Sequence, residues 1–412
     1  MKCVLPELLA PAGGMPQLEA ALRFGADAVY VGMPRYGLRA YANNFDLPAL
    51  GEAVRLCHEA GKRIYVTLNV FAFDEDMDGL LESARAACAL GVDAAIVADI
   101  GVLTLLHELL PAWELHISTQ ANTTNTRSAL TYHALGAKRI VLAREMSMEQ
   151  INAMRRQLPA EVEMEAFVHG AVCMSYSGRC LLSSYLIGRS GNRGACAQPC
   201  RWIYEEKRPD EVFALEEDAR GSYLLSARDL CMIEHIPALC QSGISSLKIE
   251  GRMKTEYYVA TVVNAYRRAL DAYAADPEGY AQDATLRQAL LGELYKASHR
   301  TFDTGFYFGM PQVCAGAGGF EQDAEFVARV IDVSGGRMSL EVKNRFFAED
   351  MLEAITPDGI IPFMPGEIRL DETGEMLSVI NRPKAVVSIV RIPGVAPGDL
   401  VRGPCRNHPK TQ

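Results

Sequence analysis

The sequence predicts an α/β protein: a TIM-like (β/α)8 barrel with a long cysteine-bearing insertion after its seventh strand, joined to a small C-terminal all-β domain. Three observations carry this. Apolar, β-branched runs of strand length recur eight times, segments of helical periodicity separate them, and near residue 321 the pattern changes to short alternating runs.

The eight runs lie at 7–12, 26–32, 63–69, 92–99, 113–120, 137–144, 162–169 and 244–250. Near-continuous apolar strands alternating with amphipathic helices imply a parallel sheet covered on its outer face, and eight such units suggest closure. Segment 47–60 illustrates the helices: Leu50, Val54 and Cys57 recur at i, i+4 and i+7, and Gly61 supplies a stop. The barrel is expected over 1–275, with its insertion at 171–243. A long helix over 255–273 ends it, and a helical connector over 276–320 contains a polar helical stretch near 283–297. From 321 to 412 the runs AEFVARVIDV, RMSLEVKN and AVVSIVRI, separated by Gly, Pro and Asp turns, read as a small β-barrel domain.

With 412 residues, 49% of them hydrophobic, the chain can bury a sizeable core. The formal charge of -10 argues against a generally basic nucleic-acid sleeve and against a polybasic membrane anchor, so any polyanion must meet a local patch. The opening MKCVLPELLAPAGG is broken by Pro6, Glu7 and Pro11 and does not read as a targeting leader, and no apolar stretch reaches membrane-spanning length. A cytoplasmic location is therefore expected, where thiols stay reduced and eleven cysteines read as metal, redox or core residues.

The strand ends turn polar in one direction: Asn69, Asp99, Gln120, Arg144 with Glu145, His169, and Glu250 with Arg252. In a barrel the carboxyl rim carries chemistry, although polar residues also follow strands for no catalytic reason. The insertion far exceeds ordinary loop length and holds six of the eleven cysteines. Four follow Cys-x6-Cys-x15-Cys-x3-Cys: Cys173, Cys180, Cys196 and Cys200. Mixed spacing favours a [4Fe-4S] cube over a tetrahedral zinc site, which more often uses paired two-residue knuckles. Cys231 is a reserve ligand; Cys240, Cys3, Cys57 and Cys88 read as core residues. Around the cysteines, segment 179–203 carries Arg179, Arg189, Arg193 and Arg201 with no acidic residue, and Tyr185 and Trp202 are interleaved. Phosphate contacts and base stacking become available on one loop, or the arginines neutralise four thiolates. In KIEGRMK, Lys248, Arg252 and Lys254 surround Glu250, and Arg252 can clamp an anion.

The run EAFVHGAVCMSYSGRCLLSS at 165–184 resembles the signature of the collagenase-like peptidases, peptidase family U32. ELLAPAGG, RGACAQPCRW, KIEGRMK and SHRTFDTGFYFG fit the same family in order, so the resemblance covers nearly the whole chain. It implies an oxygen-independent hydroxylase with an iron-sulfur cluster, and this chain is most similar to the branch that hydroxylates tRNA wobble uridine at C5 with prephenate as oxygen source. Carried over, the ligands would be Cys173, Cys180, Cys196 and Cys200, with Cys231 in play because ligand patterns vary among branches; Glu165 and His169 would support or line the site.

Two other functions compete. A collagenase-like peptidase would need an activated nucleophile or metal-bound water. The sequence has no HExxH and no GxSxG, and the conceivable pair Cys173 with His169 spends a cysteine of the set of four. A zinc-stabilised module that binds RNA or protein would be colourless and make no product. No Walker loop or GxGxxG implies a nucleotide cofactor. In the C-terminal domain Lys343, Arg345 and Arg402 are candidate RNA contacts.

Overall fold

The computed structural model describes residues 5–39, 42–173, 175–202, 227–311 and 320–406, with the backbone of 217–218 and 221–222. Strands β1 (Glu7–Pro11), β2 (Ala28–Gly32), β3 (Arg63–Leu68), β4 (Ala94–Val97), β5 (Glu114–Ile117), β6 (Arg139–Val141) and β7 (Glu163–Ala171) pair in parallel, each with the next. A short β8 (Asp229–Cys231) lies antiparallel on the end of β7, and β9 (Ser246–Ile249) pairs in parallel with both β7 and β1, which closes the ring. The expected barrel is therefore the observed one. Six of its eight strands stop one to three residues before their runs do, β2 ends with its run at Gly32, and β7 continues two residues beyond its run to Ala171.

Helices α1 (Met15–Arg23) to α6 (Met148–Arg155) cover the outer face. Their starts are encoded locally: Asp46 accepts from the amide of Ala49 at α2 (Leu47–Glu59), and Ser147 and Gln150 form a capping box at α6. Apolar residues of strands and helices merge into one core that also takes in α9 (Glu256–Ala275), whose buried residues outnumber its exposed ones. Cys57 sits in that core and burial pushes its thiol up to about 12, as expected of a structural cysteine. Cys3 lies outside the described residues.

After α11 (Ala284–Tyr295) the chain does more than connect. Segment 298–311 returns to the barrel mouth, where β10 (Phe302–Asp303) pairs in parallel with β8, and Tyr307 donates to the Phe167 carbonyl at 2.6 Å. The C-terminal domain is an antiparallel sheet of eight strands, with an apolar core of its own. It contains β11 (Ala324–Ser334), β12 (Arg337–Val342), β13 (Leu352–Thr356) and β14 (Gly359–Phe363), then β15 (Ile368–Leu370), β16 (Met376–Leu377), β17 (Val386–Val390) and β18 (Leu400–Pro404). The order is β14-β13-β18-β11-β12-β17-β15-β16, and no pairing joins β14 to β16 among the described residues.

This domain is bolted to the barrel. Ile355 and Leu400 enter the barrel core, Tyr257 stacks on Phe326, and the buried Arg402 pairs with Glu293 of α11 and Glu353 of β13 at 2.7 Å each. Arg402 is thus spent on docking, and Lys343 is paired with Glu256 and Glu341. No described helix is long and apolar enough to cross a membrane.

Candidate active site at the carboxyl rim

The rim residues separate into structural and available groups. Asp99 caps α4 (Ile100–Leu109), accepting from the amides of Gly101 and Val102, and Asn69 donates to Ser118. Glu145 accepts from the Ser177 amide at 2.7 Å, which pins the insertion to the rim. A second tie is Arg193, which donates to Asp76 at 2.7 and 3.1 Å and to the Phe71 carbonyl. A third is Gly194, whose φ of +88° and close approach to the Gly37 carbonyl, 2.6 Å from where a Cβ would stand, leave no room for a side chain. Arg189 and Arg201 donate to the carbonyls of Ala195 and Val172. Of the four insertion arginines, Arg179 remains exposed, and Tyr176, Leu181, Tyr185 and Trp202 of the same insertion are exposed too. Tyr176 carried no sequence signal, since an isolated tyrosine in a loop has no period to reveal it.

Cys173 follows β7, Cys180 precedes α7 (Leu182–Ile187), and Cys196 and Cys200 flank a turn in which the Cys196 sulfur accepts from the Gln198 amide. The Asn192 side chain donates to the Cys180 carbonyl, tying the two halves of the loop together. The thiols feel one another: burial pushes Cys200 up, Arg201 pulls it down, and the charges of Cys173, Cys196 and Cys180 raise it further. Soft sulfur donors from one compact loop, bordered by guanidinium groups, fit a thiolate-bound iron-sulfur cluster chemically. Among the described residues no three His, Cys, Asp or Glu side chains already surround a metal position. Cys231 stands apart on β8, buried with Tyr266, its thiol pushed up to about 12 by burial.

Beneath the cysteines the mouth is strongly cationic. Glu250 pairs with Arg144 at 3.1 Å and Arg39 at 3.5 Å, and those arginines with Lys248 and Arg252 hold its carboxyl low against the opposing effect of burial. Arg252 is buried, donates to the Thr67 hydroxyl and the Asn44 side chain, and has no ion pair among the described residues; burial lowers it to about 10. Arg39 links this cluster to the sulfurs, its cation favoured first by Glu250 and then by Cys173 and Cys196.

The two signature residues lie deeper. Glu165 is fully buried inside the barrel, 2.7 Å from Lys248 and 3.2 Å from Arg139, which outweigh burial and keep it ionised. His169 packs among Tyr258, Tyr266 and Phe302 with its Nδ1 unpartnered, and burial lowers it to about 3. No hydrogen bond joins it to Cys173. Both residues are therefore buried in the protein interior, whereas Cys173 and Cys196 are exposed. Gly170, at φ +103°, lets β7 pass within 2.5 Å, measured from a hypothetical Cβ, of the Glu250 carbonyl.

The chain is similar to known proteins over most of its length. The family model for peptidase family U32 matches residues 13–316, and that for the peptidase family U32 C-terminal domain matches 322–402. The chain is 38% identical over 406 residues to "tRNA hydroxylation protein P1" of Bacillus subtilis (strain 168), covering 96% of this chain and 94% of that one. It is 34% identical over 408 residues to "tRNA hydroxylation protein P" of Escherichia coli (strain K12), with 87% and 88% covered. A "Collagenase" of Porphyromonas gingivalis (strain ATCC BAA-308 / W83) is 34% identical over 313 residues, 74% of this chain and 72% of that protein. On these matches, the barrel with its cysteine loop and the docked β domain together make this chain a member of peptidase family U32.

Proposed function

We propose that this protein is an iron-sulfur-dependent, oxygen-independent RNA hydroxylase that forms 5-hydroxyuridine at the tRNA wobble position, with prephenate as oxygen donor. The observation that carries the reading is the match, over almost the full length of both chains, to proteins named for tRNA hydroxylation. A further relative, named "23S rRNA 5-hydroxycytidine C2501 synthase", is 39% identical over 267 residues, so hydroxylation of an RNA base recurs among names attached to this barrel.

The site supports the same reading. Cys173, Cys180, Cys196 and Cys200 would hold the cluster, which would supply electron transfer or an open iron at the mouth. Arg39 and Arg201 offset the negative charge of four thiolates. Tyr185 and Trp202, both exposed, would offer stacking surfaces for a splayed base, and Arg179, exposed on the same insertion, would be available to phosphate. In a chain of net charge -10, an exposed arginine of the insertion would be part of the surface offered to RNA.

The peptidase reading finds less support. Among the described residues no hydrogen bond joins His169 to Cys173, and burial in an aromatic cage makes its imidazole a weak proton acceptor, which disfavours it as the base for a Cys173 nucleophile. The decisive experiment is mass spectrometry of tRNA nucleosides from a deletion strain. Loss of 5-hydroxyuridine derivatives, restored by the wild-type gene and not by Cys173→Ser, is expected; unchanged wobble uridines overturn the assignment.

A further inference from the structure

In the C-terminal domain acidic residues outnumber basic ones, yet two of its turns carry cations and no acid. Segment 342–348 holds Lys343 and Arg345, and segment 379–387 holds Arg382 and Lys384. The fold sets these turns side by side. The Val342 amide donates to the Ala385 carbonyl at 2.9 Å, the Lys384 amide donates to the Val342 carbonyl at 2.7 Å, and the short strands Phe346–Phe347 and Val379–Ile380 pair antiparallel. Lys384 takes φ +68°, and the Asn344 side chain donates to the Phe326 carbonyl at 2.8 Å, so both turns are held in place.

Arg345, Arg382 and Lys384 are exposed, and among the described residues none has an ion pair, whereas Lys343 beside them is spent on Glu256 and Glu341. The Arg345 guanidinium lies 5.7 Å from the centre of the Phe347 ring, which Arg406 also covers at 4.6 Å. A guanidinium restrained by an aromatic face keeps its N–H groups for an anion and loses less freedom on binding. Unpaired cations are common on solvated faces, but these stand on the rim side of the barrel. Lys343, in the same turn, reaches Glu256, the first residue of α9, at 3.3 Å. That helix start is tied to the rim, because the Tyr258 hydroxyl donates to the Glu250 carbonyl at 3.0 Å. From Arg252 to Glu256 the chain spans about 14 Å at most. Three separate cations on adjoining turns suit a polyanion, which meets each with its own charge.

We propose that this corner of the β domain binds the sugar-phosphate backbone of an RNA, with phosphates on Arg345, Arg382 and Lys384. That this RNA is the tRNA whose base enters the mouth rests on the hydroxylase reading; the affinity of the corner for RNA does not.

The test uses the full-length protein purified without oxygen, with total tRNA as the probe and filter binding from about 50 to 200 mM salt. In the triple variant Arg345→Gln, Arg382→Gln, Lys384→Gln the dissociation constant is expected to rise about tenfold, and the slope of its logarithm against the logarithm of salt to fall by about 2 to 3, as for three lost phosphate contacts. All three side chains are exposed and unpaired, so the melting temperature should stay at its wild-type value. Arg382→Gln alone should weaken binding about threefold. Arg391 is the control: it is exposed and follows the far end of the β12–β17 pairing, and Arg391→Gln is expected to leave the constant unchanged. An unchanged constant and slope in the folded triple variant, or equal effects of Arg391→Gln and Arg382→Gln, overturns the proposal. So does loss of polyglutamate binding with tRNA affinity intact, which would make the corner a dock for an acidic protein. Weakened tRNA binding in the triple variant with unchanged wobble uridines in the deletion strain upholds the corner and overturns the hydroxylase reading; intact tRNA binding in that variant with hydroxylation lost in the deletion strain does the reverse.

Discussion

At the scale of single residues, the barrel interior is held by charges that satisfy each other. Glu165 meets Lys248 and Arg139, and Arg139 also meets Glu7 at 2.7 Å. Removing one member leaves its partners buried and uncompensated, so Glu165→Gln should cost about 3–5 kcal/mol in urea unfolding, whereas replacing Glu165 and Lys248 together by methionines should cost much less. His169 makes a pH-dependent contribution. Its folded pKa, about 3, lies below the unfolded value of 6.5, so the unfolded state takes up the proton first. Stability is therefore full above pH 6.5 and falls as pH drops toward 3, by up to about 1.4 kcal/mol per pH unit for one proton. Denaturation midpoints measured from pH 7 to 4 should show this slope, and His169→Gln should reduce it. Glu165 also shows where sequence reading stops: a carboxylate framing a cysteine motif looks like rim chemistry, and nothing in one strand says that a lysine 83 residues away neutralises it inside the barrel.

At the scale of elements, the barrel strands were legible because each is a buried apolar run next to a periodic helix. The short β8 and β10, of three and two residues, carry no period, so the return of 298–311 to the mouth was not. The cysteine loop was legible through its spacing, but its anchoring was not, since Arg193 reads as part of a basic patch and instead meets Asp76, 117 residues earlier in the chain. That anchor is testable. Asp76→Ala should raise amide hydrogen exchange throughout 175–202 by about tenfold while the barrel strands remain protected. Unchanged exchange would mean that Glu145 and Gly194 hold the loop unaided.

At the scale of the whole molecule, a buried cation bridges barrel and β domain beside the apolar contacts of Ile355, Leu400 and Phe326. Arg402, 1% exposed, satisfies Glu293 on one side and Glu353 on the other, with Lys296 also reaching Glu353. Arg402→Met should leave both carboxylates in excess at the interface and split a single calorimetric unfolding transition into two; a single transition at the wild-type temperature would show that the apolar contacts suffice. The central claim is the proposal that Cys173, Cys180, Cys196 and Cys200 of the insertion gather an iron-sulfur cluster at the rim. Its most direct test is iron and acid-labile sulfide per chain after anaerobic purification, for wild type and for the single serine variants of Cys173, Cys180, Cys196 and Cys200. About four irons and four sulfides in wild type, lost in each variant, are expected; a colourless protein carrying zinc without sulfide would contradict it.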